Sequence, residues 1–290
     1  MQSGRGSLLG VGLMIGAMAV LPFLDVVAKT LGEMGVPVLQ IVWARMAFGA
    51  VLTAPLALRA AGPRGLWPER AGIHSLRAVL LILATFLFFA ALKFLPIADA
   101  LAVFFVQPLV VTALSPLILR EHVGPRRWAA VAVGFIGTLI IIRPGLQAFN
   151  PGTALAFGAG CALALYFLLT RRIAGRDAAM VTTFRTSLLG TLIVSALVWL
   201  VWQPPTPEQW ALFGALGLIS TLGHGLIVMA YDHAEASLLA PLAYTEMIMA
   251  VAVGWWFFGD FPDLWTFAGV AVLIACALYI SARERARSAG

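Results

Sequence analysis

The chain has 290 residues, 61% of them hydrophobic and only 11% charged, with a formal net charge of +6. A soluble domain carries roughly 25% charged residues, so a water-soluble globular fold is excluded, as is disorder, which goes with a shortage of apolar residues. Lys29 and Lys93 are the only lysines among the 19 cations, and the positive charge does not gather into the basic patch that a nucleic-acid site requires.

An apolar run of about 20 residues crosses the hydrocarbon at roughly 1.5 Å per residue. Ten such runs follow in chain order: 8–28, 37–58, 78–95, 98–119, 128–142, 152–170, 179–201, 209–229, 236–258 and 264–281. Long runs without alternation predict helices, because lipid leaves backbone groups no partner outside the segment. The first run follows Arg5 and contains Ala17-Met18-Ala19, the small-residue pattern of a cleavable signal. It continues past that triplet through Leu24, and a retained helix is expected. The fifth run is short and is expected to extend at both ends. The longest connector, from about Arg59 to Arg77, is too short for a soluble domain, so function must reside in the bundle.

With the N-terminus inside, fourteen Lys and Arg residues fall on the inner side, Arg77 among them. Lys29, Lys93 and Arg143 fall outside, and Arg45 and Arg185 fall within spans. This bias predicts an even number of spans, with both termini cytoplasmic, in a bacterial-type inner membrane.

The two halves resemble each other at an offset of 139–140 residues. Ala91-Leu92-Lys93-Phe94 ends the third span and Ala230-Tyr231-Asp232-His233 the eighth; Arg120-Glu121 ends the fourth and Gly259-Asp260 the ninth. Arg45 in the second span answers Arg185 in the seventh. Five spans per half is an odd number, so the second half starts from the opposite face. The expected fold is therefore all-α and integral to the membrane: ten transmembrane helices as two inverted five-helix repeats, residues 1–146 and 147–290. Transporters built this way place their substrate near the midplane between the repeats.

Several segments carry a family resemblance. At the junction of spans 3 and 4 stands Ala90-Ala91-Leu92-Lys93-Phe94-Leu95-Pro96-Ile97-Ala98-Asp99-Ala100. Arg120-Glu121-His122-Val123-Gly124 precedes Trp128-Ala129-Ala130-Val131-Ala132-Val133-Gly134-Phe135-Ile136-Gly137. The second half has Ala240-Pro241-Leu242-Ala243-Tyr244-Thr245, then Phe258-Gly259-Asp260-Phe261-Pro262-Asp263-Leu264-Trp265-Thr266. Over essentially its whole length the chain resembles the EamA branch of the drug/metabolite transporter superfamily, with Asp260 where the family usually has Glu. The resemblance implies transport of small organic metabolites without ATP hydrolysis. Relatives of similar pattern carry amino acids, opine-type metallophores, S-adenosylmethionine or riboflavin.

A charge at the centre of a membrane helix costs about 2.5–3.5 kcal/mol and calls for a reason. Gln107 lies roughly 14 Å into the fourth span and Glu246 roughly 15 Å into the ninth from the other face. Their separation of 139 residues equals the repeat offset, so both are expected at one central cavity. Pro108 and Pro241 lie close by, and each can expose carbonyls by kinking its helix. Arg45 and Arg185 are candidate carboxylate anchors, and Asp25 lies where it can meet Arg45. Glu246 suits proton coupling or a substrate ammonium, and His224, between Gly223 and Gly225, is a candidate proton relay. Trp43, Tyr166 and Tyr244 are candidate cavity aromatics. Gly12-x-x-x-Gly16 is expected to pack within the bundle, giving a monomer or weak dimer.

The substrate expected from these residues is an amino acid or amino-acid-derived compound moved outward. A carrier of S-adenosylmethionine, S-adenosylhomocysteine or riboflavin is the alternative. Neither cysteine, Cys161 or Cys276, belongs to a metal-ligand cluster, and the phosphate-loop and HExxH patterns are absent. No cofactor, metal, nucleic acid or catalysis is expected. An intramembrane enzyme would need a Ser–Lys or paired-Asp arrangement that the spans lack, and a channel would need a polar pore.

Overall fold

A computed structural model describes residues 2–66, 71–120, 124–143, 150–172, 179–233 and 239–288. Eleven α-helices follow in order: α1 Gln2–Glu33, α2 Val38–Gly65, α3 Ala71–Ala91, α4 Ile97–Phe104, α5 Gln107–Ile118, α6 Pro125–Ile142, α7 Pro151–Arg172, α8 Ala179–Val198, α9 Pro207–His233, α10 Thr245–Phe258 and α11 Leu264–Ser288. A 3-10 segment, Ala240–Tyr244, leads into α10. Seven spans are long and apolar enough to cross a membrane, α4 and α5 counting as one, and three shorter apolar helices complete ten. Ten crossings bring both termini to one face, the terminal face; the opposite one is the far face. The expected repeat boundary at 146/147, together with Trp67, Glu121 and Arg176, lies outside the described residues.

Burial is reversed relative to a soluble protein. Trp256 is 81% exposed on the outside of the bundle, whereas Asp25, Arg77 and Arg185 are buried inside it. Lipid solvates the apolar exterior as well as a core would, so what holds the helices together is close packing of small residues and polar contacts.

The packing pattern repeats itself. α1 packs most heavily on α9, α2 on α8, α3 on α7, and α6 on α11. Lesser contacts join α2 to α9, α3 to α8, α1 to α10, α4 and α5 to α7, and α4 to α10. Exchanging the first five spans for the last five maps these contacts onto one another: α1 with α9 becomes α7 with α3, and α2 with α9 becomes α8 with α3. Each helix of one half therefore finds its main partner in the other half, and the centre of the molecule is the seam between halves.

Three local departures from the sequence expectation shape that seam. First, α1 runs to Glu33 rather than ending near residue 28, because Lys29 is paired with Asp260 and tolerates helical burial. Second, the fourth span is broken: α4 stops at Phe104 and α5 starts at Gln107, with Pro108 in its first turn, where a missing N–H costs nothing. Third, the ninth span contains a 3-10 segment with Pro241 ahead of α10. The expected Gly12/Gly16 packing motif is half realised: Gly16 meets Leu226 of α9, and nothing lies against Gly12.

α6 and α11 approach each other closely. A Cβ on Gly269 would lie 2.6 Å from the Gly137 carbonyl oxygen and would also overlap Ile141. Gly269→Ala is expected to push these helices apart at a cost of about 1–3 kcal/mol. Thermal unfolding in detergent checks this, and an unchanged midpoint would contradict the packing.

Candidate functional site

The two breaks meet at the centre. Phe105, at the end of α4, and Tyr244, at the end of the 3-10 segment, are 139 residues apart and pack against each other with ring centroids at 4.9 Å. Both are buried. The pseudo-two-fold axis passes by this pair, and Gln107 and Glu246 follow two residues later, each half-buried in the first turn of the next helix. Tyr244 is thus a core residue of the seam. On the other side of the break, α7 presses Gly160 so close that a Cβ there would stand 2.7 Å from the Phe104 carbonyl oxygen.

Charge collects beside this crossing. Asp25 is buried and interacts electrostatically with both Arg45 and Glu246. The extension of α1 to Glu33 puts Asp25 roughly 12 Å below the far end of that helix, deeper than the sequence spans imply. Arg45 donates from Nη1 to the Thr85 hydroxyl at 2.7 Å and from Nε to the Ser220 hydroxyl at 3.3 Å. Its Cζ stands 5.9 Å from the Phe89 ring. The Thr85 and Ser220 partners come from α3 and α9, so the guanidinium ties three helices through neutral groups. His224, one turn beyond Ser220, lies within the field of Arg45. Its Nδ1 is 2.8 Å from the Ser220 carbonyl oxygen, which can only accept, so Nδ1 carries the proton and Nε2 is the acceptor.

A cavity of about 480 Å³ opens at the far face between α1, α2 and α3, walled by Ala28, Ile41, Phe89 and Leu92 and rimmed by Lys29, Glu33, Lys93 and Asp260. One helical turn deeper on the same faces come Asp25 on α1, Arg45 on α2 and Thr85 on α3, because residues three or four apart share a face. The cavity therefore leads down onto the charged centre. Its rim is bound on one side by Lys29 Nζ, 2.6 Å from Asp260 Oδ2 and 4.2 Å from the Phe258 ring centroid. Nearby, the Thr266 hydroxyl donates to Asp99 at 2.9 Å, and Arg143 pairs with Asp263 at 2.5 Å. Partial burial pushes the Asp263 carboxyl up, but the hydrogen bond from the Thr266 backbone N–H and the pairing with Arg143 outweigh it and hold the group below the ordinary carboxylate range. That stabilisation is complete at neutral pH and is lost only as pH falls through the lowered value.

Comparison with known proteins bears on what this arrangement serves. The EamA-like transporter family matches the chain twice, over residues 8–143 and again over 150–282. The chain belongs to this family. It is similar to a riboflavin transporter of Vibrio cholerae, 29% identical, covering 88% of this chain and 87% of that one. It is also similar to an S-adenosylmethionine uptake transporter of Rickettsia prowazekii, at 24% identity and covering 90% and 88%. A pseudopaline exporter of Pseudomonas aeruginosa is 28% identical, covering 83% and 85%. The chain is thus a multi-pass membrane transporter of the drug/metabolite superfamily, and its relatives carry chemically different cargoes.

In this EamA transporter the sequence candidates Arg185 and Trp43 lie away from the charged centre. Arg185 is buried and donates from Nε to the Leu66 carbonyl oxygen at 3.2 Å, fixing the terminal-face end of α2 to α8. Repeat symmetry pairs it with Arg45 in sequence, but the two occupy different surroundings. Trp43 donates from Nε1 to the Ser195 hydroxyl at 2.9 Å and packs edge-on against Trp202 at 5.2 Å, sealing α2 to α8. Tyr166 is nearer: it interacts electrostatically with Arg45 and takes a hydrogen bond from Arg77 at 3.3 Å. Arg77 is the residue the sequence misplaced. It was expected in the inner connector, yet it lies inside α3 and is 1% exposed. The third apolar run begins one residue after it, and hydropathy alone does not distinguish a cation at a span's edge from one drawn in by partners on another helix.

Proposed function

We propose that this chain is a secondary transporter working by alternating access, and that its cargo is a small metabolite bearing an α-amino-acid group. The observation that carries this reading is the central cluster itself: buried Asp25 lies in the field of Arg45 and of a second acid, Glu246, beneath the far-face cavity. Among the described residues Glu246 has no ion-pair partner, and a substrate ammonium or a proton supplies its counter-charge. Arg45 offers its guanidinium to the substrate carboxylate. Exchange of a proton for the ammonium at Glu246 would couple transport to the proton gradient and favour export. Amino acids, opine-type metallophores and S-adenosylmethionine all carry this head group. Every group of the cluster comes from one chain, so a monomer suffices. The charge bias between connectors supports an inner-membrane location with both termini in the cytoplasm.

A riboflavin-type cargo is the second reading. It is favoured by the Phe89 wall, where an isoalloxazine would stack, and by the similarity to a riboflavin transporter.

Thermal unfolding of the purified protein in detergent, with a panel of amino acids, opine-type metallophores, S-adenosylmethionine, S-adenosylhomocysteine and riboflavin, separates them. A ligand at 100 times its dissociation constant stabilises by about 2.7 kcal/mol. A shift with compounds bearing the amino-acid group, absent for their carboxamides, is expected. A shift with riboflavin alone would replace the first reading by the second.

A further inference from the structure

Arg77 is a buried cation that the central cluster does not use. Arg77 lies six residues inside α3, roughly 9 Å from the terminal-face end of that helix. Its Nε donates to the Thr170 hydroxyl at 3.0 Å and its Nη2 to the Tyr166 hydroxyl at 3.3 Å, with Cζ 5.0 Å from the Tyr166 ring centroid. The Thr170 hydroxyl spends its own proton on the Tyr166 carbonyl oxygen at 2.7 Å, so its oxygen faces the arginine as an acceptor. All these partners are neutral. The buried Nη1 has no hydrogen-bond partner, and among the described residues no ion pair holds this guanidinium. An arginine does not discharge itself by losing a proton, and a buried charge without a counter-charge is costly unless something else supplies one.

The geometry also places Arg77 in sequence with the centre. Tyr166 takes its hydrogen bond from Arg77 and lies within electrostatic range of Arg45. Arg45 is seven residues from the far-face start of α2, and Arg77 is on the terminal-face side of the midplane. The Tyr166 hydroxyl, which accepts from Arg77, keeps its own proton free to donate. The unpartnered Nη1 and that phenol proton are two donors of the kind that a carboxylate accepts.

We infer that Arg77, with Tyr166 and Thr170, forms a second carboxylate subsite, on the terminal-face side of the central cluster. A substrate carboxylate held at Arg45 when the far face is open passes to Arg77 as the halves rock. The identity of the ligand rests on the amino-acid reading above; the existence of an anion subsite does not. A purely structural Arg77, riveting α3 to α7, has the opposite stability signature, because its removal would loosen the bundle.

The test uses the full chain in detergent, with acetate as the carboxylate probe and acetamide as its neutral control at constant ionic strength. Acetate is expected to raise the melting temperature of the wild type. In Arg77→Gln the acetate needed for half the effect should rise at least tenfold, while the melting temperature without probe stays equal or increases. Arg77→Lys should keep part of the response. Arg77→Gln that melts lower and still responds to acetate as the wild type does would overturn the subsite. Should Arg77→Gln fail to fold, Tyr166→Phe removes a single hydroxyl, and an unchanged acetate response there would also overturn it. If acetate follows Arg77 while no amino-acid compound binds the wild type, the substrate reading falls and the subsite stands. If amino-acid compounds bind through Arg45 and acetate ignores Arg77, the subsite falls alone.

Discussion

Glu246→Gln is expected to abolish gradient-driven transport in proteoliposomes while leaving the protein folded. The carboxylate stands in the first turn of α10, fixed there by the 3-10 segment before it and by the Tyr244–Phe105 contact. An amide of the same shape keeps the packing but cannot take up a proton or balance an ammonium. Hydrogen bonds to charged groups contribute about 1.5–3 kcal/mol, so binding should weaken roughly 10- to 150-fold. Its thermal midpoint should hold or rise, because one of two neighbouring acids has been neutralised. Glu246→Asp, which keeps the charge on a shorter arm, should retain partial transport. Wild-type transport by Glu246→Gln would remove this residue from the mechanism.

Arg45→Met is expected to give the largest loss of stability in the bundle. It withdraws the positive charge facing buried Asp25 and strips the Thr85 and Ser220 hydroxyls of their donor. Breaking a buried pair costs about 3–5 kcal/mol. The lower figure is expected here, because Arg45 bonds hydroxyls and reaches Asp25 only through its field. At roughly 2–4 °C per kcal/mol for a chain of this size, the melting temperature should fall by several degrees. Adding Asp25→Asn removes the stranded charge and should recover most of the loss. If the double variant is no more stable than Arg45→Met alone, Asp25 and Arg45 are not energetically coupled.

Much of this architecture is legible in the sequence. The hydrocarbon thickness fixes how many apolar residues a crossing needs, so ten spans follow from composition along the chain. Odd repeats must be inverted, and an offset of 139 residues already pairs Gln107 with Glu246. The same offset pairs Phe105 with Tyr244, which do meet. The signal was there: an aromatic two residues before a midplane polar group in both halves.

What the linear pattern does not contain is rotation about each helix axis. Arg45 and Arg185 are matched in depth and repeat position, yet one faces the centre while the other binds the Leu66 carbonyl at the end of α2. Trp43 is two residues from Arg45 and turns to the α8 seam. Arg77 could be drawn into the membrane only because Tyr166 and Thr170, some ninety residues later in the chain, present hydroxyls to it across α3 and α7. Hydropathy decides which segments partition into lipid, since that is a property of each segment alone. Which side chains share the interior is decided by long-range packing between the halves, and only the tertiary structure carries that information.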